Sequence, residues 1–131
     1  MQTEYKINPA LSNSELQSLF SDAWGQSRGG SRNFTSILKR SLAYICAYAG
    51  EDLVGFVNLA WDGDKHAFLL DPTVRKSARR NGIGTALVLR AANEARARGA
   101  HWLHVDFEPH LTDFYRKCGL RHTEAGLMKL R

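Results

Sequence analysis

Arg79-Arg80-Asn81-Gly82-Ile83-Gly84-Thr85 lies between an extended apolar segment and an alanine-rich stretch of helical period. Glycines at 82 and 84 carry no Cβ to hold the main chain off a ligand, and they permit backbone angles that aim successive N–H groups at one point. The first N–H groups of a helix lack intrahelical acceptors and sit at the positive end of its dipole, so an anion is favoured there. Arg79 and Arg80 add planar guanidinium forks that suit phosphate oxygens. No Gly-Lys-Ser/Thr follows, and the third glycine of a dinucleotide fingerprint is missing, so neither ATP nor NAD is indicated. The chemistry this segment suits is the wrapping of some other pyrophosphate.

A second group of reactive residues follows the long helix. In the strand read over Trp102 to Phe107, alternation puts His104, Asp106 and Glu108 on one face and Leu103, Val105 and Phe107 on the other. Charge inside a sheet strand costs energy unless it is paired or used, and such a face would attract a cationic amine. Asp71, beside Pro72 near the end of the preceding strand, is a further carboxylate able to order a water. Cys118 lies close to Tyr115, but no base stands at a useful spacing from it, so a small buried residue is the expected role.

The elements that must position these groups are readable from period and punctuation. Thr3 to Ile7 reads as a first strand ended by Asn8-Pro9, and Ser12 or Asn13 caps a helix to about Trp24 with Leu16, Leu19, Phe20 and Ala23 on one face. Gly25 to Ser31 reads as a flexible loop and Phe34 to Arg40 as a short helix. Strands over Tyr44–Tyr48, Leu53–Trp61 and His66–Val74 make an antiparallel meander, with a bulge or unpaired edge expected at Pro72. Ile83 to Arg98 is a helix stopped by Gly99, in which Ile83, Leu87 and Ala91 share a face. Pro109 opens a short helix through Lys117, ended by Gly119. Arg121–Ala125 and Leu127–Leu130 read as two last strands.

At 131 residues and 44% hydrophobic content the chain suits one domain with a real core, residues 1–131. It holds no apolar run near the ~20 residues of a membrane span, and its first residues are not those of a signal peptide, so a cytoplasmic location and no membrane partner are expected. Two cysteines and five scattered histidines support neither a disulfide framework nor a metal site. The net charge of +5 is concentrated only at Arg75-Lys76-x-x-Arg79-Arg80, which suits a local anion site rather than a nucleic-acid track. Trp24, Phe34 and Trp61 are candidates for an acceptor pocket, with core packing the commoner role.

The order of elements, the segment Arg79-Arg80-Asn81-Gly82-Ile83-Gly84 and the segment Phe114-Tyr115-Arg116-Lys117-Cys118-Gly119-Leu120 together resemble the GNAT family of N-acetyltransferases over nearly the whole chain. Lys76, Glu108 and Leu120 depart from the family's common proline, asparagine and phenylalanine. The resemblance implies an α/β fold of mixed type: a mostly antiparallel, twisted sheet of about seven strands, splayed at the cofactor cleft and flanked by about four helices. It implies acetyl-CoA as co-substrate and no metal. The cofactor would be bound by Val74, Arg79, Arg80, Asn81, Gly82, Ile83, Gly84 and Thr85, with its pantetheine arm between the strand ending at Val74 and the strand from Trp102.

By the same resemblance the Val74 main-chain N–H polarises the thioester carbonyl and Tyr115 is the general acid, with Asp71 or Asp106 as candidates to relay the amine proton. His104, Asp106 and Glu108 would meet an amine acceptor, a small molecule or a peptide, in direct transfer within a ternary complex. A homodimer through terminal strands or sheet edges is compatible with the fold. The alternative is a non-catalytic acyl-CoA-binding or sensing module, which retention of Tyr115 disfavours.

Overall fold

The computed structural model describes residues 2–29 and 31–131. Met1 and Gly30 lie outside them, so the loop expected over 25–31 is described without Gly30. One sheet holds five strands in chain order, β1 (Glu4–Ile7), β2 (Ala43–Ala49), β3 (Asp52–Trp61), β4 (His66–Val74) and β5 (Trp102–His104). β1 to β4 pair antiparallel, and β5 pairs parallel to β4. The change of direction follows from the connection: a crossover helix lies between β4 and β5, whereas the earlier pairs are hairpins or return strands.

Each face of the sheet is covered by its own layer. The first layer is α1 (Asn13–Trp24), α2 (Gln26–Gly29) and α3 (Thr35–Arg40). Ser12 and Glu15 start α1 reciprocally, the Ser12 hydroxyl accepting from the Glu15 N–H and the Glu15 carboxylate from the Ser12 N–H, each at 3.1 Å. Leu16, Leu19 and Phe20 of α1, with Phe34, bury against Cys46, Tyr48, Leu53 and Phe56. On the opposite face α4 (Ile83–Ala97) buries Ile83, Leu87, Val88, Ala91 and Ala95 against Ile45, Val57, Leu59 and Leu69. Spacings of three and four along α4 make that stripe continuous, and its alanines let the helix lie close. The last helix, α5 (Thr112–Lys117), follows a 3₁₀ turn at Pro109–Leu111. Among the described residues no helix is long and apolar enough to cross a membrane.

Several boundaries differ from those the sequence suggests. Among the described residues there are five strands rather than about seven, and five helices rather than about four, because the loop expected over 25–31 contains α2. Arg121–Ala125 and Leu127–Leu130 form no strands; Leu127, Met128 and Leu130 are 84%, 83% and 84% exposed. Met128 and Leu130 would share one face of a strand, but the segment pairs with no strand edge, and that face stays exposed. β5 stops at His104 instead of Phe107, although the in–out alternation persists: Val105 and Phe107 are half-buried while Asp106 and Glu108 are exposed.

Gly55 sets how closely α4 approaches the sheet. A Cβ there would stand 3.0 Å from Ile83 Cγ2, 3.0 Å from Leu87 Cδ1 and 3.1 Å from Ala47 Cβ. All three are buried and have nowhere to move. Gly55→Val is expected to destabilise the fold by about 1–3 kcal/mol, the usual cost of overpacking. Denaturant unfolding checks this, and an unchanged midpoint would mean that α4 is not held against Gly55.

Candidate functional site

The site begins where β4 and β5 part. They pair only at His66↔Trp102, Ala67↔Leu103 and Phe68↔His104, while β4 runs on to Val74. The cause is local. Opposite β3, register passes from Asn58↔Leu70 to Phe56↔Thr73, so β4 carries one extra residue at the bulge, where Asp71 takes φ +54° and Pro72 offers no N–H. The bulge expected at Pro72 is therefore present, and beyond it the two parallel strands are separated by a gap.

Val74 borders that gap with its main chain. Arg75 N–H bonds the Val54 carbonyl at 2.8 Å, and Val74 is the next residue along the ladder, opposite Gly55. Antiparallel alternation therefore turns the Val74 N–H and C=O away from β3, toward the gap. The carbonyl accepts from Arg79 Nε at 3.2 Å, which leaves the N–H as the free group.

On the α4 side, the turn at 79–85 presents an uninterrupted set of donors. Arg79 N–H bonds Lys76 and Ala86 N–H bonds Gly82, but the N–H groups of residues 80–85 have no acceptor among the described residues. Gly82 is the N-cap of α4 with φ +74°, and Arg80 also lies in the left-handed region at φ +67°. Asn81 braces the turn from within, its Nδ2 donating to the Ala78 and Arg79 carbonyls at 2.9 and 3.1 Å. Orphan donors, a helix dipole and two guanidinium groups thus coincide. A groove of about 500 Å³ beside Gly99, Ala100 and Trp102 lies at the other end of α4, where carbonyls project and phosphate is disfavoured.

The two sequence motifs meet in space. A Cβ on Gly84 would lie 3.5 Å from the Phe114 ring, and the Thr85 side chain lies near enough to the Cys118 thiol to lower its pKa. Tyr115 is 3% exposed, stacked on Phe107 at 4.6 Å between centroids and edge-on to Phe114 at 4.9 Å. No hydrogen bond engages its hydroxyl among the described residues, yet no sealed, partnerless side-chain polar atom occurs there either, so the hydroxyl reaches a surface. Burial, and after it the neighbouring Cys118 and Asp106, push the phenol above its ordinary pKa. Such a group remains a proton donor throughout the neutral range.

On the opposite face of the sheet the α1–α3 layer is stitched to the end of β4. Trp24 Nε1 donates to Thr73 Oγ1 at 3.1 Å, Lys76 N–H to Asp22 Oδ2 at 2.8 Å, and Arg32 Nη2 to Asp71 Oδ2 at 3.0 Å. The Lys76 departure from the family pattern thus makes a bond that proline could not. Asp71 is not a free carboxylate, since Arg32 holds it. His104 is engaged too, with His66 Nδ1 2.7 Å from its Nε2 and the Phe68 ring stacked at 4.8 Å. Asp106 and Glu108 are exposed on the same side as His104. Of the aromatic candidates, Phe34 is core at 1% exposure, Trp61 bonds the Asp64 carbonyl, and Trp24 is 46% exposed beside the gap. Arg32 and Thr73 carry no motif, and only the fold brings them to the site.

Cys118 is a poor nucleophile here, because burial raises its pKa and the nearby Thr85 side chain only partly opposes that; Cys46 is pushed up to about 12, chiefly by burial. Alkylation of Cys118 by iodoacetamide is expected to be slow at pH 7 and to keep rising with pH through the ordinary thiol value of 9.0 without levelling off there. A thiol titrating near neutrality would bring back a covalent acyl-cysteine.

Comparison with known proteins shows the family and the fold. Residues 11–120 match the family described as Acetyltransferase (GNAT) family. Glucosamine 6-phosphate N-acetyltransferase 1 of Oryza sativa subsp. japonica is 37% identical over 59 residues, 44% of this chain and 36% of that protein, so the match spans about a third of the relative's length. A GNAT-family acetyltransferase structure from Streptococcus pneumoniae superposes with a TM-score of 0.79 at 22% identity, covering 99% of this chain and 100% of that one. AAC(6')-Iy, solved in complex with a bisubstrate analogue, CoA-S-monomethyl-acetylneamine, superposes with a TM-score of 0.75 at 16% identity, covering 100% and 99%. The chain belongs to the GNAT family of acetyltransferases.

Proposed function

We propose that this protein transfers the acetyl group of acetyl-CoA to an amine, acting as one domain over residues 1–131. The observation that carries the reading is the gap between β4 and β5, open across the sheet, with unbonded N–H groups of residues 80–85 on one side and carboxylates on the other. The GNAT family uses acetyl-CoA, and a structural relative was solved with a CoA bisubstrate analogue. Pyrophosphate at residues 79–85 would direct the pantetheine arm into the gap and bring the thioester carbonyl to the Val74 N–H. That donor then stabilises the oxygen as negative charge develops on it.

In the transfer itself the neutral amine attacks the thioester carbon, the C–S bond breaks, and the sulfur takes a proton from Tyr115. A phenol held above its ordinary pKa stays protonated and ready to donate. The amine's own proton leaves through water ordered by Asp106 or Asp71. The exposed side of His104, Asp106 and Glu108 favours a cationic amine, in a small molecule or a peptide; relatives named as acting on glucosamine 6-phosphate support the small-molecule class. The unpaired outer edge of β5 and the exposed Leu127, Met128 and Leu130 support a homodimer.

Gly82→Val is expected to abolish acetyl-CoA binding while the fold persists, because no atom lies within 4 Å of a Cβ there but a β-branched residue resists φ +74°. Calorimetric titration checks it, and unchanged affinity in the folded variant would overturn the cofactor site.

Tyr115→Phe is expected to lower kcat by about 10²–10⁴-fold with little change in acetyl-CoA affinity. The sign with pH is fixed by the raised phenol pKa. The parent's activity should persist to at least the ordinary phenol value of 10.0 and decline only above it, and the variant should lack that decline. Near-normal turnover in the variant would assign the proton to water.

A further inference from the structure

The Arg32–Asp71 pair is the one ion pair among the described residues that joins distant elements; the other two are helix neighbours three and four positions apart. It stands at the bulge of β4, where Asp71 takes φ +54°, and its two side chains are 35% and 31% exposed. Arg32 is nevertheless firmly held. Its guanidinium carbon lies 4.9 Å from the Phe34 ring centroid and 5.4 Å from that of Phe20, and its carbonyl accepts from Gln17 Nε2 at 2.9 Å. It meets Asp71 through a single Nη2–H, and its other N–H donors have no acceptor among the described residues. A pre-set guanidinium with a free fork, next to a carboxylate, borders the gap on the face opposite the α4 N-terminus.

We propose that this pair is the acceptor-recognition site, and that the acceptor is an amine that also carries an anionic group, a phosphate or a carboxylate. The inference rests on the acetyltransferase reading above and narrows its substrate class. The acceptor's ammonium would contact Asp71 while its oxyanion meets the free fork of Arg32, so one intramolecular pair is exchanged for two intermolecular ones. Planar, bidentate capture of an oxyanion is the contact that a guanidinium makes and an ammonium does not. Arg32 is then a specificity-determining residue, separate from the groups that move protons.

The test compares acceptors that differ only in the anion: phosphoethanolamine with ethanolamine for phosphate, and β-alanine with propylamine for carboxylate. CoA release is followed for the parent, Arg32→Gln and Arg32→Lys. In at least one pair the anionic member is expected to be preferred in kcat/KM by about ten- to a hundredfold in the parent, through KM. That ratio should fall toward one in Arg32→Gln and be partly restored in Arg32→Lys, with the melting profile of each variant showing that it is folded. The pair that shows the preference identifies the anion. Turnover of amines with a ratio near one in both parent pairs would overturn this inference and leave the acetyltransferase reading standing. If no amine is turned over, calorimetric titration of phosphoethanolamine and β-alanine into acetyl-CoA-loaded protein decides. Binding that Arg32→Gln weakens at least about tenfold supports the site, and equal or absent binding overturns it.

Discussion

Between Phe68 and Val74 one edge of β4 faces no strand, and a sheet interior with an open edge leaves main-chain groups that must be covered, bonded or used. The molecule handles this edge with three devices. Pro72 removes a donor, Arg79 bonds the Val74 carbonyl, and the bulge at Asp71 twists the strand away from the segment after β5. What is left is the Val74 N–H beside a gap. The catalytic proposal and the acceptor proposal both depend on that gap being present, because through it a group bound on the α4 face can reach the α1–α3 face.

The two layers hold the gap open by different physics. α4 is fixed mainly by apolar contact: its alanines and the absent side chain of Gly55 allow close approach, and its N-terminus stops at the mouth of the gap. The α1–α3 layer meets the end of β4 through the three polar links from Asp22, Trp24 and Arg32. Apolar packing is tolerant of ligand charge, so the cofactor side can offer bare N–H groups. Polar links are selective, so discrimination between acceptors belongs on the other side.

Much of this was readable from residues. The helical period fixed α1 and α4, the glycine pair fixed the anion-favouring turn, and the spacing from Tyr115 to Gly119 placed a phenol on a short helix capped by a glycine at φ +95°. Pro72 announced the bulge because its missing N–H is a property of the residue itself. The failures share a cause as well. Arg121–Ala125 and Leu127–Leu130 read as strands in the sequence, but a strand needs a partner edge, and no sequence pattern says whether one is available. Arg32 and Asp71 are 39 residues apart and neither belongs to a motif, so their contact follows only from how α1 docks on the sheet. The end of β5 likewise depends on where β4 bends.

The central claim, that the gap and the turn beside it receive the cofactor, is tested most directly by backbone amide resonances followed during titration with CoA and with acetyl-CoA. The account predicts that residues 80–85 shift with both ligands, and that Val74 responds further when the acetyl group is present. Shifts that gather instead around Gly99 and Trp102, with residues 80–85 and Val74 unmoved, would contradict it.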